Sequence, residues 1–264
     1  MPHELELEKQ RQDAFPWTRS EYHLSYNQYL CEYKIKDCLS HVSGESLLDL
    51  ACGDGLMTEV FAKYFKRVVG VDASRAHLEK ARARCPNLEF VESLIETLQF
   101  NETFNAVLML DVLEHLIDPV AALKKSASFL APGGRLVAHV PNSDAVNRKI
   151  NVIMGSLTHT GELSPFDIEI AGHRRSYNLD SLTKDFEDAG LTVVRQGGIF
   201  YKMLSTPQMD WLLSQSQWET GGHGWGRSDR PDHDWKSEFC RACYEYGKDH
   251  PGDCNVIYAV GEVN

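Results

Sequence analysis

The segment LLDLACGDG, Leu47–Gly55, sets Asp49, Gly53, Asp54 and Gly55 at the end of an apolar run and the start of a helical period. Glycine at a strand-to-helix turn lets a ligand approach the main chain closely, and the free N–H groups there suit a polar group. Acidic side chains in the same turn favour a ligand that carries positive charge, such as an ammonium group. A pyrophosphate would set anion against anion. The third glycine of a dinucleotide-binding turn is also missing, because Leu56, Met57 and Thr58 follow Gly55. Asp72 ends a second apolar run, in VVGVDAS, where a carboxylate accepts hydrogen bonds from ribose hydroxyls. That position suits a nicotinamide dinucleotide as well as any other nucleoside, so an NAD-dependent oxidoreductase is the second reading.

These residues need elements to position them. Apolar runs opening at Leu47 and covering 68–74, 88–93, 104–116 and 135–141 read as strands. Helical spacing separates them, as in Val120, Leu123, Phe129 and Leu130, stopped by Pro132 and Gly133. Residues 142–177 are irregular and polar; 179–190 return to helix and 191–200 to strand. A long insertion at 202–253, helical near Met209–Leu213, precedes a last strand at 255–263. This alternation predicts an α/β fold with a parallel sheet wound by right-handed crossovers and ligands beyond the carboxyl ends of its strands.

Composition narrows the function classes. A chain of 264 residues can bury a sizeable core, and its net charge of −11, without a basic stripe, argues against nucleic acid as partner. No apolar run is long enough to span a bilayer, and MPHELELEKQRQDAF lacks a signal core, so neither membrane nor secretion is expected and the cytoplasm is. Seven cysteines at irregular spacing read as reduced, buried residues. Cys240, Cys243, His250 and Cys254 have donors enough for zinc, but the first two share a helix face with Phe239 and Tyr246, which favours core packing. His223, Asp232, His233 and Asp234 lie in a glycine-rich loop, better suited to a substrate lid than to a preformed cage. No metal site is expected.

The pattern D-x-A-x-G-x-G at 49–55 resembles the first motif of class I S-adenosylmethionine-dependent methyltransferases, with Ala51 in place of the commoner glycine. VVGVDAS resembles the second motif, and DVLEHLIDP (111–119) with LAPGGRLVAHVP (130–141) is similar to the ubiquinone-biosynthesis-type small-molecule enzymes. The resemblance runs from about Ser46 to Pro141. It implies a Rossmann-like seven-stranded sheet, mostly parallel with the last strand antiparallel, flanked by helices. It also implies an N-terminal helical cap at 1–44 and a methyltransferase domain at 45–264, with acceptor-site insertions at about 142–177 and 202–253. The cofactor implied is S-adenosylmethionine, leaving as S-adenosylhomocysteine. The acceptor expected is a small polar molecule, a sugar or natural-product intermediate, methylated at oxygen or nitrogen by a monomer or homodimer. A catalytically silent donor-binding protein is a third reading.

The resemblance assigns the donor to Asp49, Ala51, Gly53, Gly55, Asp72, Ala73, Leu110 and Asp111, with Ile95 and Glu96 beside the adenine. The run ESLIE at 92–96 departs from the family's usual Gly-Asp pair after the third strand. His115 follows the fourth strand, whose end abuts the methyl group in the family, and an ordinary imidazole pKa near 6.5 suits a base or an acceptor-orienting group. The alternative is that the Glu114–His115 pair caps the next helix. His173 and Arg174, in AGHRRSYNLDSL, are expected to border the acceptor, as catalytic and binding groups, with Asn142 and Arg148 as further binding residues; Asn178 or Asp180 can cap the helix that follows. Tyr22, Tyr26, Tyr29 and Tyr33 mark one helix face, either core or an aromatic lid. Tyr22 is assigned to the donor and Tyr26 to the acceptor.

Overall fold

The computed structural model describes residues 2–14, 25–216, 218 and 234–263. Tyr22, His223, Asp232 and His233 lie outside the described residues. Two helices lead, α1 (Pro2–Asp13) and α2 (Ser25–His41). The apolar runs form β1 (Ser46–Leu50), β2 (Arg67–Asp72), β3 (Glu89–Glu92) and β4 (Phe104–Leu110). β5 (Leu130–Pro141), β6 (Leu191–Tyr201) and β7 (Cys254–Val263) complete a sheet of order β3-β2-β1-β4-β5-β7-β6. Strands β1 to β5 pair in parallel, and β7 runs antiparallel to both β5 and β6. This is the seven-stranded sheet expected, with its strand order reversing between β1 and β4, where such sheets open a ligand crevice.

Helices cover both faces, which is why the central strands are apolar runs and not alternating ones. Leu48 and Leu50 of β1 pack in one core cluster with Ala122 and Leu123 of α5 (Pro119–Ala127) and Phe186 of α7 (Leu179–Asp188). Leu47 points the other way, clustering with Cys38 of α2 and with Met57 and Phe61 of α3 (Leu56–Phe61). α4 (Arg75–Arg84) follows β2, its first turn capped by Ser74.

Several boundaries differ from the sequence reading. β4 stops at Leu110, and Asp111 turns the chain in the left-handed region at φ 55°. Pro132 and Gly133 do not stop α5, which ends at Ala127; they lie in an irregular opening of β5, where Leu130 pairs with Phe104 and Arg135 with Ala106. Asp118, not the Glu114–His115 pair, caps α5 by accepting from the Ala121 N–H at 2.9 Å. Residues 142–177 are not irregular throughout, since they hold α6 (Val146–Ile153) and a π-helical turn at Phe166–Ile170. Asn178 caps α7 in a reciprocal box with Ser181. The last insertion contributes α8 (Thr206–Ser214) and α9 (Trp235–Asp249).

Cys240 and Cys243 face inward from α9, in a cluster with Tyr26, Ile199 and Phe200. Tyr26 is fully buried, its ring edge-on to Phe200 at 5.5 Å, and Tyr33 stacks on Tyr244 at 4.5 Å. The tyrosine stripe is core in its described part. Among the described residues no helix is long and apolar enough to cross a membrane.

Gly70 of β2 lies beneath the glycine turn, and a Cβ there would stand 2.6 Å from the Phe90 ring and 3.0 Å from Cys52 Sγ. Gly70→Ala is therefore expected to destabilise the fold by about 1–3 kcal/mol. Chemical denaturation checks this, and an unchanged midpoint would contradict the packing described.

Candidate active site

The carboxyl ends of β1, β2 and β4 open onto one cleft of about 970 Å³, counting its solvent-open mouth. Its floor is main chain. Ala51 leaves β1 at φ 60° and Gly53 follows at φ 58°, so two left-handed residues turn the backbone toward the cleft. Only glycine takes that conformation without steric cost, so Ala51 holds it at some strain. An added Cβ on Gly53 would meet nothing within 4 Å, so this lining residue leaves space that a side chain would fill.

Asp72 closes the floor from β2. Its Oδ2 accepts from the Gly53 N–H at 2.8 Å and its Oδ1 from the Ser74 N–H at 2.9 Å. A carboxylate has about four acceptor sites, so Asp72 keeps acceptor capacity for a hydroxyl in the cleft. His77 Nδ1 stands 3.5 Å from Oδ1, and its bond to Asp72 raises the imidazole pKa against the effect of burial. Beyond β3, Ile95 is buried and Glu96 also lines the cleft. Glu96 Oε2 is buried without a hydrogen-bond partner, and burial raises the pKa of its carboxyl. Such an oxygen is an acceptor waiting for a donor.

The roof comes from α1, within the stretch 1–44 expected as a helical cap, although the sequence pattern singles out none of its residues for the cleft. Glu8, Arg11 and Gln12 line the cleft. The helix is tied down by polar contacts: Lys9 Nζ to Glu92 at 2.6 Å, the Arg75 N–H to Asp13 at 2.9 Å, and Arg11 Nη2 to the Gly172 carbonyl at 2.8 Å. A helix docked this way shows no apolar stripe to read. The four carboxylates of the lining, Glu8, Asp72, Glu96 and Asp111, face one guanidinium, Arg11. This balance suits a cation and sugar hydroxyls and opposes a pyrophosphate.

Not every expected donor residue reaches the cleft. Ala51, Gly53, Asp72, Ala73, Ile95, Glu96, Leu110 and Asp111 line it; Asp49 and Gly55 do not. Asp49 is buried and takes the Thr58 hydroxyl at 2.6 Å, fastening α3 to β1. Gly55 begins α3 at φ 76°, close against Ala81 of α4. Asp54 is buried beside Arg84, with Nη2 at 3.7 Å, and serves the turn and not a ligand ammonium.

At the far end His115 lines the cleft, its ring edge-on to His173 at 5.0 Å. His115 Nε2 is 3.8 Å from Glu114 Oε1, and Glu114 is buried with neither carboxylate oxygen hydrogen-bonded. Burial, with Asp111 nearby, pushes the Glu114 carboxyl up to about 7. Burial and the neighbouring His173 push His115 down to about 4, so it is not the near-neutral base expected. Burial opposes charging of His173, but its bond to Asp167 and the field of Glu114 prevail and raise its pKa. These three residues, 59 positions apart in sequence at the widest, bring polar side-chain atoms within 4.8 Å of one another. One carboxyl and two imidazoles meet here, a juxtaposition that spacing alone could not reveal.

The remaining acceptor candidates serve the frame. Asn142 Nδ2 donates to the Cys254 and Gly252 carbonyls, joining β5 to β7. Arg148 binds within the first insertion, through Nε to the Thr160 carbonyl at 2.7 Å and Nη1 to Asp167 at 3.1 Å. Arg174 bridges α1 to the turn after β4, with Glu8 at 2.5 Å and the His115 carbonyl at 2.9 Å.

Comparison with known proteins agrees with this geometry. Residues 23–196 match the methyltransferase domain family. The chain belongs to that family. Its cofactor is S-adenosylmethionine. The ubiquinone biosynthesis O-methyltransferase of Bradyrhizobium sp. (strain ORS 278) is 29% identical over 187 residues, 67% of this chain and 68% of that enzyme. The enzyme of that name from Nitrobacter winogradskyi is 26% identical, the match spanning 62% of each chain. Among solved structures, a methyltransferase from Thermotoga maritima matches with a TM-score of 0.58 at 14% identity, over 90% of both chains. The N-methyltransferase NodS of Bradyrhizobium japonicum, solved with S-adenosylhomocysteine, matches at 0.54 and 15%, over 97% of this chain and 96% of its own. Both show the same fold as this methyltransferase.

The cleft fits the cofactor. Asp72 would hold the ribose hydroxyls, Gly53 would leave room beside it, and Glu96 Oε2 would accept from the adenine amine next to Ile95. Asp72→Asn keeps the volume but loses the charged acceptor, a change of about 1.5–3 kcal/mol, or roughly 10- to 150-fold in affinity. Titration calorimetry with S-adenosylhomocysteine checks this, and unchanged affinity would contradict the assignment.

Proposed function

We propose that this methyltransferase acts in the cytoplasm on an oxygen of a small polar metabolite, such as a sugar or natural-product intermediate. The single observation that supports this reading best is the continuity of the cleft, which runs from Asp72 and Glu96 to His115, with buried Glu114 behind that imidazole, 3.8 Å from its Nε2. The names of the curated relatives favour oxygen over nitrogen. The carboxylate-rich lining speaks against a dinucleotide, and thus against an oxidoreductase.

S-adenosylmethionine supplies an activated methyl group on a sulfonium. The chain's share is alignment, exclusion of water and removal of a proton. The acceptor oxygen bonds to the methyl carbon as the carbon–sulfur bond breaks and its electron pair leaves on sulfur. The hydroxyl proton passes to Glu114, whose proton affinity suits neutrality. His115, neutral in that range, orients the acceptor by hydrogen bonding.

The test is S-adenosylhomocysteine formation with a panel of hydroxylated metabolites, followed against pH. Since the base is the deprotonated carboxylate, activity should rise as pH climbs through about 7 and fall away below it. Glu114→Gln should lower kcat by roughly 10²- to 10⁴-fold while donor affinity holds. A flat profile together with an unimpaired variant would refute the assignment, and donor binding without turnover on any acceptor would mark a silent binder.

A further inference from the structure

α2 carries a buried polar face at helical spacing: Lys34, Asp37 and His41. Asp37 Oδ1 lies 3.2 Å from His41 Nε2, and Oδ2 lies 3.2 Å from Nε2 of His139 on β5. These bonds fix the helix against the sheet. One turn earlier, Lys34 is only 4% exposed and places Nζ 2.5 Å from Asp111 Oδ2. Asp111 is the left-handed residue that ends β4; its N–H donates to the His139 carbonyl at 2.8 Å, and its side chain remains one-fifth exposed where it lines the cleft.

A buried ammonium held this firmly to a cleft-wall carboxylate changes the charge that a ligand meets. Methyl transfer disperses the positive charge of the sulfonium, so a bare carboxylate beside it would stabilise the reactants more than the transition state. Only interactions that strengthen toward the transition state accelerate the reaction.

We propose that Lys34 is a positioning residue that sets the charge of the donor cleft, neutralising Asp111 so that the wall does not hold the sulfonium donor too tightly against its neutral thioether product. The inference rests on the donor site described above and extends it to a residue outside the cleft lining.

The experiment is calorimetric titration of S-adenosylmethionine and S-adenosylhomocysteine into the full chain, read as the ratio of their affinities. Lys34→Met removes the ammonium beside the Asp111 carboxylate and should shift the ratio toward the cationic donor by about tenfold. Asp111→Asn leaves a cation and should shift it the opposite way. Lys34→Arg and the double variant Lys34→Met/Asp111→Asn should return the ratio close to that of the wild type. The double variant removes both charges, so it also guards against a single variant that fails to fold. A merely structural role would weaken both ligands together and leave the ratio unmoved in every variant, and that result overturns the inference alone. Binding of neither ligand to the wild type overturns the donor site and this inference with it.

Discussion

The Gly53 N–H bonds to the Asp72 carboxylate across the ends of two neighbouring parallel strands, and the cleft exists because of that contact. It requires β1 and β2 in register, with Leu50 beside Val71, so that the turn after one strand meets the last residue of the other. It requires a backbone free to bend back at positions 51 and 53. It also requires apolar burial on both faces, because only a sheet covered by helices puts its polar groups at the strand ends. The charge of the cofactor then selects among ligands. Carboxylates dominate the lining, which suits a sulfonium and a ribose.

Much of this is visible in the residues themselves. The motif around Asp49, Gly53 and Asp72 carries the turn and the acid, and each apolar run became a strand because two-sided burial leaves no other home for such a run. The exact ends were harder to see. Asp111 to Leu116 reads as a continuation of β4 by composition, yet the chain leaves the sheet after Leu110, where Asp111 turns it in the left-handed region at φ 55°. Asp49 looks like a ligand group from its place in the motif, but the Thr58 hydroxyl nine residues on captures it. Local pattern shows where a polar residue stands and not which neighbour claims it.

The parts that sequence did not disclose are long-range and polar. α1 reaches the cleft through ion pairs and main-chain contacts to residues far along the chain, including Glu92, Gly172 and Arg174. Glu114, His115 and His173 meet only because Arg174 and its neighbours fold back over the turn after β4. The proton affinities of Glu114 and His115 follow first from burial, which no spacing rule supplies. Burial makes Glu114, and not His115, the group that titrates near neutrality. The two insertions hold more helix than their polar composition suggests, and Asn142 and Arg148 serve as braces there.

The donor site proposed lies on the floor between β1 and β2. A crystal structure of the chain with S-adenosylhomocysteine tests it most directly. Ribose hydroxyls are expected on Asp72, the base beside Ile95 with its amine toward Glu96, and the sulfur facing the turn that carries His115. Ribose held elsewhere, or a cleft closed by side chains while the nucleoside occupies another surface, would contradict it.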